Sequence, residues 1–116
     1  MLLAAKILTG LVMLIHVYIL LLETVLFRTR GKRVFGLTDE KAAIMAPAMS
    51  NQGAYNGFLA AALAVGLALP SMHLVWYGLA CVAVAGLWGA ATVKKSILYI
   101  QTVPAVLAMA AWWLAR

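Results

Sequence analysis

Charge is scarce in this chain: only 10% of its 116 residues are Asp, Glu, Lys or Arg, and three carboxylates stand against nine basic side chains. There is one cysteine, Cys81, so neither an internal disulfide nor a thiolate metal site can form. It reads as a small packing residue. The chain has two histidines, of which only His16 lies deep in an apolar run, with Glu23 as the one nearby carboxylate. That falls short of the roughly three or four ligands a zinc site needs. No metal and no other cofactor is expected.

Apolar residues are abundant, at 66% of the chain, far above an ordinary soluble domain. They gather in four runs, 7–27, 47–69, 73–93 and 97–115. Each is near the ~20 residues that cross about 30 Å of hydrocarbon at about 1.5 Å per residue. The expected fold is all-α: one integral membrane bundle of four transmembrane helices, a single membrane domain over 1–116. The first run is too long for the core of a cleavable signal peptide, holds Glu23, and is followed by basic residues rather than small ones.

The net charge of +6 raises nucleic acid as a partner, but the positions of the charges argue against it. Arg28, Arg30, Lys32, Arg33 and Lys41 fall between runs one and two, and Lys94 and Lys95 between runs three and four, leaving Lys6 and Arg116 on the other side. By the positive-inside rule the two basic loops are cytoplasmic and both termini outside, as in a bacterial inner membrane. The Arg28–Arg33 cluster would then meet anionic headgroups, which makes membrane lipids the expected partners.

Between the first two runs, Thr38 can cap a helix whose first turn carries Asp39 and Glu40, favourably placed in the helix dipole. An interfacial helix over about 39–46 is expected, with Pro47 ending it or opening span two. Gly53 and Gly57, extended by Ala60, Ala61 and Ala64, form a smooth strip that lets another backbone approach closely; Cys81, Ala85 and Gly89 form a matching one on span three. Trp76, Tyr77, Trp112 and Trp113 read as an outer aromatic belt.

Glu23 is the most informative residue. An acid in hydrocarbon is costly and usually faces a partner, a cavity or a path. In the expected topology Glu23, Asn51, Gln52, Tyr55, Asn56 and Gln101 share one layer near the cytoplasmic face. His16, one heptad before Glu23, lies about 10 Å deeper on the same helical face, and Thr9 another heptad along. Pro104 cannot donate to the carbonyl of Ile100, so span four should be irregular beside Gln101. Taken singly, each of these has a plainer reading: Glu23 an interface acid paired with Arg28 or Arg30, the amides helix-to-helix glue, His16 a satisfied core residue.

The run Asn51-Gln52-Gly53-Ala54-Tyr55-Asn56-Gly57-Phe58-Leu59-Ala60 resembles a signature of the domain-of-unknown-function family 1304. So do Gly36 after Val34-Phe35, Leu22-Glu23, and Gln101 with Pro104-Ala105. The likeness covers nearly the whole chain in order and spacing. It implies a small four-span membrane protein of a mostly bacterial and fungal family, and supplies no activity.

Three functions fit the residues. The first is binding, with or without isomerisation, of a small hydrophobic or lipid-like ligand, with Glu23 and His16 as acid and base and Asn51, Gln52, Tyr55, Asn56 and Gln101 as ligand contacts. The second is proton-coupled transport of small cations through Glu23. The third is a structural or partner protein whose polar layer fixes helix register. Four short spans enclose little volume, which is compatible with a homo-oligomer.

Overall fold

The computed structural model describes residues 1–116 and is helical throughout, with no strand. The elements in order are α1 (Leu2–Glu23), a π-helical turn (Phe27–Gly31), α2 (Lys32–Val34), α3 (Asp39–Ala68), α4 (Met72–Thr92), a second π-helical turn (Leu98–Thr102) and α5 (Val103–Ala115). Three stretches are long and apolar enough to cross a membrane: Leu2–Glu23, Met72–Thr92 and Leu98–Ala115. Only 28% of the most apolar window of each is buried, so most of that surface faces outward, as lipid-facing helices require. These three helices mark the chain as a membrane protein.

The region expected to hold an interfacial helix at 39–46 and a span at 47–69 is instead one continuous helix of 30 residues, with Pro47 inside it. Proline there removes one donor and crowds the Ala43 carbonyl one turn back, yet the helix continues through it. The polar run from Ser50 to Asn56 dilutes the apolar character of α3, and it is not among the helices that qualify as spans.

The chain divides into two compact units, Met1–Ile15 with Leu59–Arg116, and His16–Phe58. The first has a core built at helical period. Ala5, Thr9 and Val12 come from α1, Val75, Leu79 and Val82 from α4, and Ala105, Ala108, Ala111 and Trp112 from α5, all buried. The buried face of α4 runs through Gly78, Leu79, Val82 and Gly86, not through Cys81, Ala85 and Gly89. Ala85 is exposed, while Cys81 and Gly89 are half-buried. A side chain added at Gly78 would come within 2.8 Å of Leu63, and one at Gly86 within 2.7 Å of the Thr102 backbone nitrogen. Small residues are needed there because neighbouring helices approach so closely.

Trp112 departs from its expected place in the aromatic belt. It is 9% exposed, and its Nε1 donates to the Thr9 hydroxyl at 2.9 Å. Thr9 in turn donates to the carbonyl of Ala5 at 2.8 Å. Trp112 follows Ala105 and Ala108 by seven and four residues, which puts it on their inward face, whereas Trp113 is turned out at 57% exposure. The irregularity near Pro104 takes the form of the second π-helical turn, where the Val103 amide bonds the Leu98 carbonyl. Thr102 closes this turn onto α4 by donating to the Ala83 carbonyl at 2.9 Å.

In the second unit, α1 ends at Glu23 and the chain turns through Leu26 and Gly31. The Leu26 amide bonds the Leu21 carbonyl at 2.9 Å, and the Gly31 amide the Leu26 carbonyl at 2.8 Å. Gly31 presses on the Leu22 carbonyl so closely that no side chain could fit. Phe27, 1% exposed, packs its ring 6.2 Å from Phe35. Gly36 then reverses the chain at φ +66°, a conformation glycine adopts without steric cost. Thr38 Oγ1 accepts the Lys41 amide at 3.2 Å and caps α3. Lys32 pairs with Asp39, and this neighbour holds the Asp39 carboxyl below its usual range.

Candidate functional site

Glu23 is the last residue of α1 and is 5% exposed. Its Oε1 accepts a hydrogen bond from Asn56 Nδ2 at 2.5 Å. The same Asn56 amide donates to the Gln52 carbonyl at 3.2 Å, one turn back along α3. The amide is thus anchored to its own helix while it holds the carboxylate of another. Neither Arg28 nor Arg30 takes that role. Arg30 Nε donates instead to the Tyr18 hydroxyl at 2.5 Å, with its guanidinium 5.6 Å from the centre of that ring.

Glycine makes this approach between α1 and α3 possible. A Cβ at Gly53 would lie 2.8 Å from Thr24 Cγ2, 3.1 Å from Glu23 Cβ and 3.4 Å from the Leu20 carbonyl oxygen. One turn further, a Cβ at Gly57 would meet Leu20 Cδ2 at 3.3 Å. The small-residue strip of α3 is therefore filled from within the chain, by Leu20, Glu23 and Thr24. Thr24 keeps its methyl over Gly53 because its hydroxyl donates to the Leu20 carbonyl at 2.6 Å.

Of the other residues proposed from the sequence, those on α1 and α3 lie apart from the carboxylate. His16 is fully buried, two turns before Glu23 and about 10 Å from it along the helix axis. Asn51, Gln52 and Tyr55 are exposed and do not face Glu23. The reason is helical phase. Gly53, Asn56, Gly57 and Ala60 recur at the spacing of one helix face, and this face packs against α1; Asn51, Tyr55 and Phe58 recur at the same spacing on another. Tyr55 stacks edge-on to Phe58, with centroids 5.7 Å apart. Gln101 belongs to the other unit, on the second π-helical turn, where the stem of its side chain lies against Gly86 of α4.

Sequence reasoning missed Leu20 and Thr24 as the wall of the site, and Thr9 with Trp112 as a buried hydrogen-bonded pair. Leu20 and Thr24 sit three residues before Glu23 and one after it, but nothing in their identity distinguishes them from neighbouring apolar and hydroxyl residues. No group of three or more His, Cys, Asp or Glu side chains comes together in the fold. Chemically, the arrangement can accept a hydrogen bond at a buried carboxylate and present a half-buried amide beside it.

Comparison with curated proteins and with solved structures returned no match. The profile of the family described as "Protein of unknown function (DUF1304)" matches residues 10–113, nearly the whole length. The chain therefore belongs to the DUF1304 family.

Proposed function

We propose that the protein binds a small apolar molecule bearing a hydrogen-bond donor, of lipid, isoprenoid or quinol type, with Glu23 and Asn56 as its polar anchor. The observation that carries this reading is a carboxylate removed from solvent, held at one oxygen by an amide and neutralised by no cation. Ligand sites in apolar surroundings are built from a few such convergent polar groups. An intramembrane acid of this kind is a functional residue by default. In this reading α3 from about Pro47 onward crosses the bilayer as a fourth span. The basic segment 28–41 lies on the cytoplasmic side, and Glu23 opens toward the inner leaflet. Turnover of the bound molecule, or its proton-coupled transport, would use Glu23 with His16 deeper on the same helix.

The test is to purify the protein from its membrane, extract the co-purified lipids and compare them by mass spectrometry with those of Glu23→Gln and Asn56→Ala. Selective loss of one lipid class from both variants is expected. An unchanged lipid complement in folded Glu23→Gln protein overturns the proposal. The tight seat of Gly53 on Glu23 and Thr24 favours one second reading, in which the pair only fixes the register of α1 on α3. That reading is distinguished by a large loss of thermal stability in detergent that no added lipid restores.

A further inference from the structure

Asn51, Tyr55 and Phe58 have no role in the Glu23 site, yet they are arranged in a way that has its own meaning. Ile44, Ala48, Asn51, Tyr55 and Phe58 follow one another along α3 at steps of four, three, four and three residues. Every one of them is exposed, with Ile44 at 74%, Tyr55 at 59% and Phe58 at 65%. Alternating steps of four and three, with a mean of about 3.5 residues, keep these positions in one line along the helix, as a continuous helix–helix contact requires. This seam lies on the far side of α3 from Asn56, which is five residues beyond Asn51 and so about 140° around the helix.

We propose that this seam is the contact through which two copies of the chain pair, α3 against α3, side by side and parallel. The proposal rests on the reading that α3 crosses the membrane, and is independent of any ligand at Glu23. Three observations select a second copy as the occupant. Asn51 carries both a donor and an acceptor, so across a two-fold axis each amide can donate to the carbonyl of the other, whereas a lipid tail offers neither group. The charge bias of the chain inserts every copy the same way, which makes the pair parallel and brings residues of equal number together. The seam also holds one polar position between small and aromatic ones, and a lone asparagine in such a seam fixes register and partner number. The Tyr55–Phe58 edge-to-face pair is a preformed knob for the facing helix.

The experiment places single cysteines at Asn51, Phe58 and Met45 in a Cys81→Ser background and oxidises native membranes with copper phenanthroline. Met45 is exposed but sits about 120° from Asn51 around α3. Strong dimer bands from Phe58→Cys, weaker ones from Asn51→Cys, which gives up the reciprocal amides, and little from Met45→Cys are expected. Asn51→Ala should weaken dimerisation roughly five- to tenfold in liposomes by energy transfer, the loss of two reciprocal amide bonds. Equal cross-linking at all three positions, none at the seam, or capture of a different polypeptide at Asn51→Cys overturns the proposal. A membrane-impermeant maleimide that labels Phe58→Cys in sealed vesicles overturns the spanning of α3, and the pairing with it. Lipid retention in Glu23→Gln bears on the ligand proposal alone.

Discussion

Alanine at Gly53 and at Gly57 should push stability in opposite directions, although the two positions are one helical turn apart on the same face of α3. Both changes gain helix propensity, about 0.8–1 kcal/mol relative to glycine. What differs is the neighbour. At Gly57 the new methyl would meet Leu20 Cδ2 at 3.3 Å, the far end of a side chain that can yield a few tenths of an ångström. At Gly53 it would meet Thr24 Cγ2 at 2.8 Å and Glu23 Cβ at 3.1 Å. Glu23 Cβ moves only with the α1 backbone. Thr24 can clear the methyl only by rotating, which breaks its 2.6 Å hydrogen bond to the Leu20 carbonyl.

Overpacking of a closed contact costs typically about 1–3 kcal/mol. Set against the propensity gain, Gly53→Ala should destabilise by roughly 0.5–2 kcal/mol, and Gly57→Ala should be neutral or stabilise by up to about 1 kcal/mol. Reversible unfolding in mixed micelles, with added SDS as denaturant, measures both. Because relief at Gly53 means moving α1 from α3, the same variant should also stretch the 2.5 Å Asn56–Glu23 bond. It should therefore lose lipid that the Gly57 variant keeps. A Gly53→Ala protein at least as stable as wild type, or a Gly57→Ala protein damaged more than it, would refute the close approach.

Asn56→Ala leaves the buried Glu23 carboxylate without its amide donor. It should cost about 1–3 kcal/mol, read by the same unfolding titration, while Asn51→Ala, which removes an amide with no partner inside the chain, should not lower the monomer's stability. Thr9→Val strands the Trp112 indole N–H inside the core, whereas Trp112→Phe leaves Thr9 bonded to Ala5. A double-mutant cycle on the two should give a coupling of roughly 0.6–1.7 kcal/mol, and additive effects would show that the bond contributes nothing. Asp39 is held below its ordinary carboxyl value of 3.8 by Lys32. Its folded pKa is the lower one, so the contact's contribution is complete above the unfolded value and fades as pH falls through 3.8 and beyond. Protection factors over residues 32–41, corrected for the intrinsic pH dependence of exchange, should fall in that acid range, and Asp39→Asn should remove that fall.

Much of the helical framework can be read from the chain because hydrocarbon thickness and helix rise leave a long apolar run few alternatives. Three such runs correspond to α1, α4 and the stretch through the second π-helical turn into α5. What could not be read is the rotation of each helix. Trp112 and Trp113 are adjacent and chemically alike, and only the inward phase of Ala105, Ala108 and Ala111 decides which one is buried. The same holds on α3, where six polar or small residues in a row look like one cluster, although 100° per residue sends Asn51 and Tyr55 away from Asn56. Pro104 signalled disturbed backbone near Gln101, but not that the disturbance would be a π turn with Thr102 bonded to the Ala83 carbonyl. Pro47 misled by looking like a boundary: α3 runs through it, although its ring crowds the Ala43 carbonyl.

The polar content of α3 that keeps it off the roster of evident spans is the same content that gives it two working faces. Toward α1, the polar groups are already matched, since Asn56 bonds both Glu23 and the Gln52 carbonyl. Placing this face in a membrane costs less than leaving the same groups unbonded. The outer face has no such partner within the chain. A bare amide in hydrocarbon costs several kcal/mol, by order of magnitude, which is comparable with what a short apolar helix gains by inserting. Insertion of α3 as a fourth span is then favourable chiefly when Asn51 is covered, so spanning and pairing stabilise each other. A chain prevented from pairing should hold α3 less firmly in the bilayer, with faster amide exchange from 44 to 58 than in the paired protein.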